Sequence, residues 1–288
     1  MRAPTITAPR YALVYGVQNY LNGALQFADN DARAMKSILA AQGWSFAIVP
    51  EREDSSVTKD QLKNDILSLS SVPSDSTVLV YFSGHGTDAD LWNPRDPAYS
   101  GPYIVPYDAI SLTGLTEPTE LVSPAELQGW LAQIGTKNVI VILDCCYSGG
   151  FVSSSGATDA SPKNYSSTAL YSAFATAMCN FSGLLVANAS ASGAKTPIVI
   201  SAAGPSDKSI EDDALSHGVF TYFLLKAATQ GDSDGDGVVT TTEAYAYASA
   251  HIKEWDSSLT YYDEYDKDIW PFLPHISGDT RDLVLFTD

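Results

Sequence analysis

Short apolar, β-branched runs alternate with longer amphipathic stretches along this chain, the pattern of strands crossed over by helices. Strands are predicted over Tyr11 to Val17, Ser45 to Val49, Thr77 to Phe82, Asn138 to Leu143, Ile198 to Ala202 and Leu283 to Phe286. Helices are predicted over Asn30 to Gln42, Lys59 to Ser70, Pro124 to Gln133, Gly218 to Thr229 and Thr241 to Trp255. Two helix starts carry capping signals. Thr58 precedes Gln61 by three residues, and Ser123 is followed by proline at the first helical position and Glu126 at the third. The pattern implies an α/β fold with a mostly parallel, six-stranded central sheet and helices on both faces.

A stretch rich in Ser, Ala, Gly and Asn, residues 152–196, separates the fourth strand from the fifth and reads as a surface insertion or linker, with a short helix conceivable over Thr168 to Ala177. It divides the chain into a first half, 1–151, and a second, 197–288, within one compact domain. No internal repeat is present, so a solenoid is not expected.

Composition narrows the partners. Acidic residues outnumber basic ones, 34 to 16, for a net charge of −18. This disfavours nucleic acid and anionic lipid surfaces, both of which demand Lys and Arg against phosphate. No apolar run is long enough to span a bilayer, and the start lacks the apolar core of a signal peptide. The expectation is a soluble protein, cytoplasmic as given, or exported if a leader has been removed. Of three cysteines, Cys145 and Cys146 are adjacent, which does not suit a disulfide scaffold. His217, His251 and His275 lack zinc spacing, and the five tryptophans follow no regular interval.

Candidate chemistry gathers at two strand exits. Thr77 to Phe82 runs into Ser83-Gly84-His85-Gly86, and Asn138 to Leu143 runs into Asp144-Cys145-Cys146-Tyr147-Ser148-Gly149-Gly150. In an open parallel sheet, ligands bind beyond the carboxyl ends of the strands, so the two loops should share one edge. A thiol becomes a strong nucleophile when an imidazole takes its proton, and the glycines flanking His85 leave backbone N–H groups open to an oxyanion. By strand alternation Asp144 shares a face with Cys146, while Cys145 faces away with Leu143 and is expected to pack. A carboxylate beside a thiolate does not stabilise it, so Asp144 is assigned to substrate charge.

A second constellation is Asp232-Ser233-Asp234-Gly235-Asp236-Gly237-Val238-Val239-Thr240-Thr241-Thr242-Glu243, which follows the EF-hand calcium loop position by position. Asp232, Asp234 and Asp236 would offer side-chain oxygens, Val238 its carbonyl, Thr240 a water-mediated contact and Glu243 both carboxylate oxygens to Ca2+.

The segments YFSGHG and ILDCCYSGG, about 60 residues apart, resemble the caspase-like cysteine peptidases of clan CD (peptidase family C14), nearest to metacaspases and bacterial orthocaspases. YALVYGVQNY and ALQFADNDARAMKSIL upstream, and VISAAGPSDKSIED and HGVFTYFLLKA downstream, extend the resemblance over most of the chain from Tyr11. It implies a caspase fold, with 1–151 as the large-subunit half and 197–288 as the small-subunit half. His85 matches the family's general base and Cys146 its nucleophile, with the backbone N–H groups of Gly86 and Cys146 as oxyanion donors. Metacaspase-type members cut after Arg or Lys using an acidic pocket, which maps onto Asp31 and Asp144 with Ser83 at its wall. The flanks of the nucleophile, Cys145 and Tyr147, depart from the Ser and His usual in metacaspases.

The resemblance further implies a monomer acting on peptide or protein substrates, and an acidic pocket raises self-cleavage after Lys163 or Lys195. The family's known activating calcium site lies elsewhere, so the Asp232 to Glu243 loop is not equated with it. The alternatives are a calcium-binding interaction module on an unused peptidase fold, and a peptidase of the legumain or gingipain type.

Overall fold

The computed structural model of the chain describes residues 7–20, 24–88, 102–109, 120–146, 181–193, 195–202, 211–258, 274–279 and 281–287. Its centre is a seven-stranded sheet ordered β10-β6-β5-β3-β1-β2, with β4 added to the end of β3. The strands are β1 (Arg10–Gly16), β2 (Arg52–Glu53), β3 (Thr77–Asp88), β4 (Pro102–Ile104), β5 (Asn138–Cys146), β6 (Ile198–Ser201) and β10 (His275–Gly278). The β2, β1, β3, β5 and β6 neighbours all pair in parallel, whereas β10 and β4 are antiparallel to theirs. This is the mostly parallel α/β architecture expected from the sequence, with seven strands in place of six because β4 adds to the end of β3.

Both faces of the sheet are covered, which explains why its strands are apolar almost without interruption. One face of β3 and β5, with Val78, Val80, Phe82, Val139, Val141 and Leu143, joins a core that also contains Leu62 and Ile66 of α2 (Lys59–Ser68) and Leu127 and Trp130 of α3 (Pro124–Leu131). On the opposite face Leu79, Tyr81, Ile140 and Ile142 pack with Met35 and Leu39 of α1 (Ala28–Ala41) and Leu224 of α5 (Val219–Gln230). Ala244, Ala248 and Ile252 of α6 (Thr241–Ser258) complete that layer.

The expected caps form. Thr58 Oγ1 accepts the Gln61 N–H at 3.1 Å, and Ser123 and Glu126 make a reciprocal capping box behind Pro124. Helix α1 is capped from far away: Glu211 of β7 (Glu211–Asp212) accepts the Gln26 and Phe27 N–H groups at 2.9 and 2.8 Å. Burial outweighs these two donors and raises the Glu211 carboxyl above its usual range.

Four expectations change. Ser45 to Val49 is not a strand; Ser45 makes a single bridge to Tyr11, and the edge strand is the polar pair Arg52–Glu53, aligned with Tyr15 and Gly16. Arg52 is fixed there by a bidentate ion pair to Asp65 of α2. Leu283 to Phe286 is a strand but lies outside the central sheet: β11 (Val284–Thr287) pairs with β9 (Val238–Thr240) in a separate ribbon. The antiparallel edge is instead β10, which the pattern did not reveal.

Finally, residues 181–192 of the predicted linker form a helix, α4, whose Phe181, Leu185 and Ala189 are fully buried against the sheet. Their spacing of four places them on one helix face, so this part of the segment belongs to the core rather than to a surface insertion. The helix conceived over Thr168 to Ala177, Lys163, and the acidic, aromatic stretch from Tyr261 to Trp270 lie outside the described residues. None of the described helices is long and apolar enough to cross a membrane.

Candidate active site

Parallel pairing of β3 with β5 fixes the register in which the two reactive exits meet. Ser83 lies opposite Asp144, Gly84 opposite Cys145 and His85 opposite Cys146. The histidine and the cysteine singled out in the sequence thus stand on adjacent strands at the same level of the sheet's carboxyl edge. Cys145 is buried in the core with Leu143, as alternation predicts, and burial raises its thiol well above the usual range, with Asp144 adding to the effect. It is built to pack rather than react.

His85 is buried and held by Tyr20, from the loop after β1. Its backbone N–H donates to the Tyr20 hydroxyl at 2.9 Å, the two rings stand 4.4 Å apart between centroids, and Tyr20 in turn donates to the Val105 carbonyl at 2.8 Å. Gly84 allows this approach, since a Cβ there would sit 2.7 Å from the Tyr20 hydroxyl. Gly86 follows His85 in β3, opposite Ile104 of β4, whose next residue Val105 donates its N–H to the His85 carbonyl at 3.0 Å. The His85 backbone is thus held from two sides, by the Tyr20 hydroxyl and the Val105 N–H, and the Tyr20 ring lies against the imidazole.

Beside this pair lies an acidic site built from three elements. Asp31, in the first turn of α1, and Asp144, near the end of β5, are buried. Ser83 Oγ donates to Asp31 Oδ2 at 3.1 Å, and the Gly218 N–H reaches both Asp31 oxygens at 3.2 Å. The Thr221 hydroxyl and N–H donate to Asp144 Oδ2 at 2.6 and 3.2 Å, and Tyr81 hydrogen-bonds the same hydroxyl at 2.6 Å. Burial pushes the Asp31 carboxyl up to about 7; the His217 hydrogen bond opposes the rise and the charge of Asp144 adds to it. The same surroundings, burial first and then the two acids, raise Tyr81.

Sequence reasoning selected Asp31, Ser83 and Asp144 but missed what holds them. His217 of β8 (His217–Gly218) brings Nδ1 to 2.8 Å from Asp31 Oδ1. Gly218 passes so near the two acids that a Cβ would lie 2.6 Å from Asp144 Oδ2 and 3.0 Å from Asp31 Oδ2. His217, Gly218 and Thr221 fall together in the HGVFT segment, where histidine followed by glycine before an apolar helix was the available signal.

A family profile, Peptidase C14, caspase domain, matches residues 9–252. The chain belongs to the caspase-domain family of cysteine peptidases. Its structure is similar to that of protein GSU0716 from Geobacter sulfurreducens (TM-score 0.56, 16% identity, covering 94% of this chain and 93% of that one). It is likewise similar to caspase-1 from Spodoptera frugiperda (TM-score 0.56, 11% identity, 98% and 93% covered) and to pro-sf-caspase-1 (TM-score 0.52, 9% identity, 95% and 92% covered). At such identities these likenesses establish the fold. No curated protein sequence matches the chain significantly. The caspase domain thus accounts for the sheet, and for a hydrolase that acts on peptide or protein substrates.

The Asp232 to Glu243 loop stands apart from that edge, between α5 and α6. Side-chain oxygens of Asp232, Asp234 and Asp236 lie within 4.8 Å of one another, and Gly237 at the sixth position has φ +87°, a conformation that favours glycine. Val238 and Thr240 lie in β9. Glu243 is not in the cluster. Its Oε1 accepts the Ser233 N–H and hydroxyl at 3.0 and 2.8 Å, and its Oε2 accepts those of Thr240 at 3.0 Å each. Burial pushes the Glu243 carboxyl up, but the Thr240 and Ser233 hydrogen bonds prevail and hold it below the usual range.

Proposed function

We propose that this caspase domain is an endopeptidase of the metacaspase and orthocaspase type, cleaving after Arg or Lys. The observation that carries the reading is the pair of buried carboxylates, Asp31 and Asp144, at the strand edge where His85 stands opposite Cys146. Two buried acids attract a guanidinium or ammonium through charge-assisted hydrogen bonds and repel an acidic side chain. In this reading the Cys146 thiolate attacks the scissile carbonyl, and the N–H groups of Gly86 and Cys146 receive the developing oxyanion. His85 gives its proton to the departing amine, leaving a thioester on Cys146. His85 then takes a proton from water, which attacks the thioester and frees the acid product, returning the Cys146 thiolate beside protonated His85.

Calcium is proposed at the second acidic site. Asp232, Asp234 and Asp236 converge suitably, the Val238 carbonyl and a Thr240-bridged water would add oxygens, and Glu243 would exchange its bonds to Ser233 and Thr240 for the ion. The ion would supply charge neutralisation and rigidity between α5 and α6. Self-cleavage, if it occurs at Lys195, is proposed to be intermolecular. Lys195 donates to the Ile134 carbonyl at 2.7 Å and precedes β6, at the end of the sheet opposite Cys146.

Steady-state hydrolysis of peptides ending in Arg, Lys, Asp or Asn, with calcium and with chelator, tests the reading. Turnover confined to Arg and Lys is expected. Cleavage after Asp would overturn the pocket assignment.

A further inference from the structure

His217 touches the acidic site directly, with Nδ1 2.8 Å from Asp31 Oδ1, and the proposed peptidase steps leave it unused. It comes from β8, immediately before the glycine that passes between the two acids, and its side chain is 21% exposed while that of Asp31 is 1% exposed. One end of the pair therefore reaches water and the other does not. Asp31 faces His217 and the Gly218 N–H from β8, Ser83 and Tyr81 from β3, and Asp144 from β5, with Glu211 of β7 acting on Asp144. Of these, Asp144 and Glu211 are negative when ionised. Among these described groups, His217 is the one that can bring positive charge.

We infer that His217 is a positioning residue for substrate selection, holding the Asp31 carboxylate ionised and turned so that it can receive a cationic side chain. The inference rests on the Arg/Lys reading and deepens it. A carboxylate sealed from water beside a second acid tends to keep a proton, and a protonated acid has no charge with which to hold a guanidinium. The 2.8 Å contact from Nδ1 works against that tendency, and Asp31 stands at about 7 with His217 in place. Without the imidazole it moves higher, and Asp31 then contributes less charge to the pocket at neutral pH.

His217 also packs 6.4 Å from the Tyr222 ring, centroid to centroid, which fixes the imidazole at the pocket rim. The arrangement separates two duties. Asp31 supplies the charge, and His217 sets the pH at which that charge is available.

The test is the pH profile of kcat/KM for an Arg peptide and for its uncharged citrulline isostere, in wild type, His217→Ala, His217→Phe and His217→Asn, with folding checked by thermal melts. In wild type, activity on the Arg peptide should rise with pH through about 7, and the citrulline peptide should lack this limb. Removing the donor should move the limb up by about one pH unit and lower kcat/KM at pH 7 about tenfold, mainly through KM. His217→Asn, which keeps an N–H near the Nδ1 position, should fall between these and wild type. The Ala and Phe variants make the same prediction, so either one that folds is sufficient.

An unmoved limb in a folded Ala or Phe variant would overturn the inference while the Arg/Lys reading stood. So would an equal loss on both peptides at every pH, which marks a merely structural role. Wild type that shows no preference for Arg over citrulline would overturn the Arg/Lys reading and this inference with it.

Discussion

The two acidic sites of this chain hold similar chemistry in opposite surroundings. Asp31 and Asp144 are buried, come from distant elements, and take their hydrogen bonds from Ser83, His217, Gly218 and Thr221. Asp232, Asp234 and Asp236 are half-buried or exposed, come from five consecutive residues, and bind the loop's own N–H groups. Burial raises the Asp31 carboxyl. A buried pair gains most from a shaped organic cation that replaces lost water. A short exposed loop can gather its oxygens around a metal ion.

The contrast breaks most visibly at Asp144. Asp144→Ala leaves Thr221 without its acceptor and the pocket with one acid, and kcat/KM for Arg peptides should fall by about 100-fold or more, on the scale of a lost buried charge pair. The same variant should leave calcium-dependent stability unchanged, as read by thermal shift. Loss of both would mean that the sites are not independent.

Asp31 sharpens the comparison because function and stability oppose each other there. Its folded value, about 7, lies above the ordinary 3.8, so the folded state binds the proton more tightly than the unfolded one does. Stability from this group is present at low pH and is lost as pH rises from about 4 towards 7. Asp31→Asn removes the titration. At pH 8 it should abolish selection for Arg while costing little stability or adding to it, on the order of 4 kcal/mol before its hydrogen-bond losses. Denaturant melts at pH 5 and pH 8 check the sign: the gain should shrink at the lower pH.

Calcium should act on the loop alone. At 100 times its Kd, the ion would add about 2.7 kcal/mol, roughly 5–10 °C in Tm for a chain of this class, and Asp234→Ala should remove the gain. Smaller still is Gly218→Ala. A methyl group 2.6 Å from Asp144 Oδ2 forces the acids apart, and kcat/KM should drop several-fold with Lys peptides less affected than Arg, whose larger head needs both acids. Competition kinetics with the two peptides together would show it.

What was legible in the sequence follows from the same physics. Strands buried on both faces announce themselves through continuous Val, Ile and Leu, so β1, β3, β5 and β6 could be read directly, and with them the edge bearing His85 and Cys146. Edge elements carry no such signal. Arg52–Glu53 is held by pairing and by Asp65, and His275–Gly278 is short and only half-buried. The apolar run of β11 misled because the β9 edge, rather than the central sheet, receives it. Helix α4 was hidden by its small residues, although Phe181, Leu185 and Ala189 kept helical spacing. The pocket acids were reachable by resemblance, but His217 and Thr221 hold them across more than 70 residues of sequence, and periodicity does not report such pairings.

The central claim is a Cys146 nucleophile served by His85 and an acidic pocket. Its most direct measurement is the rate of release from fluorogenic Arg and Lys peptides by wild type and Cys146→Ala, alongside Asp peptides, with intact mass after incubation with an Arg-directed acylating probe. Turnover on Arg or Lys that falls by at least about a thousandfold in the variant, with the probe's mass added to wild type only, is the predicted result. Equal turnover in the two proteins, or probe bound when Cys146 is absent, would contradict it.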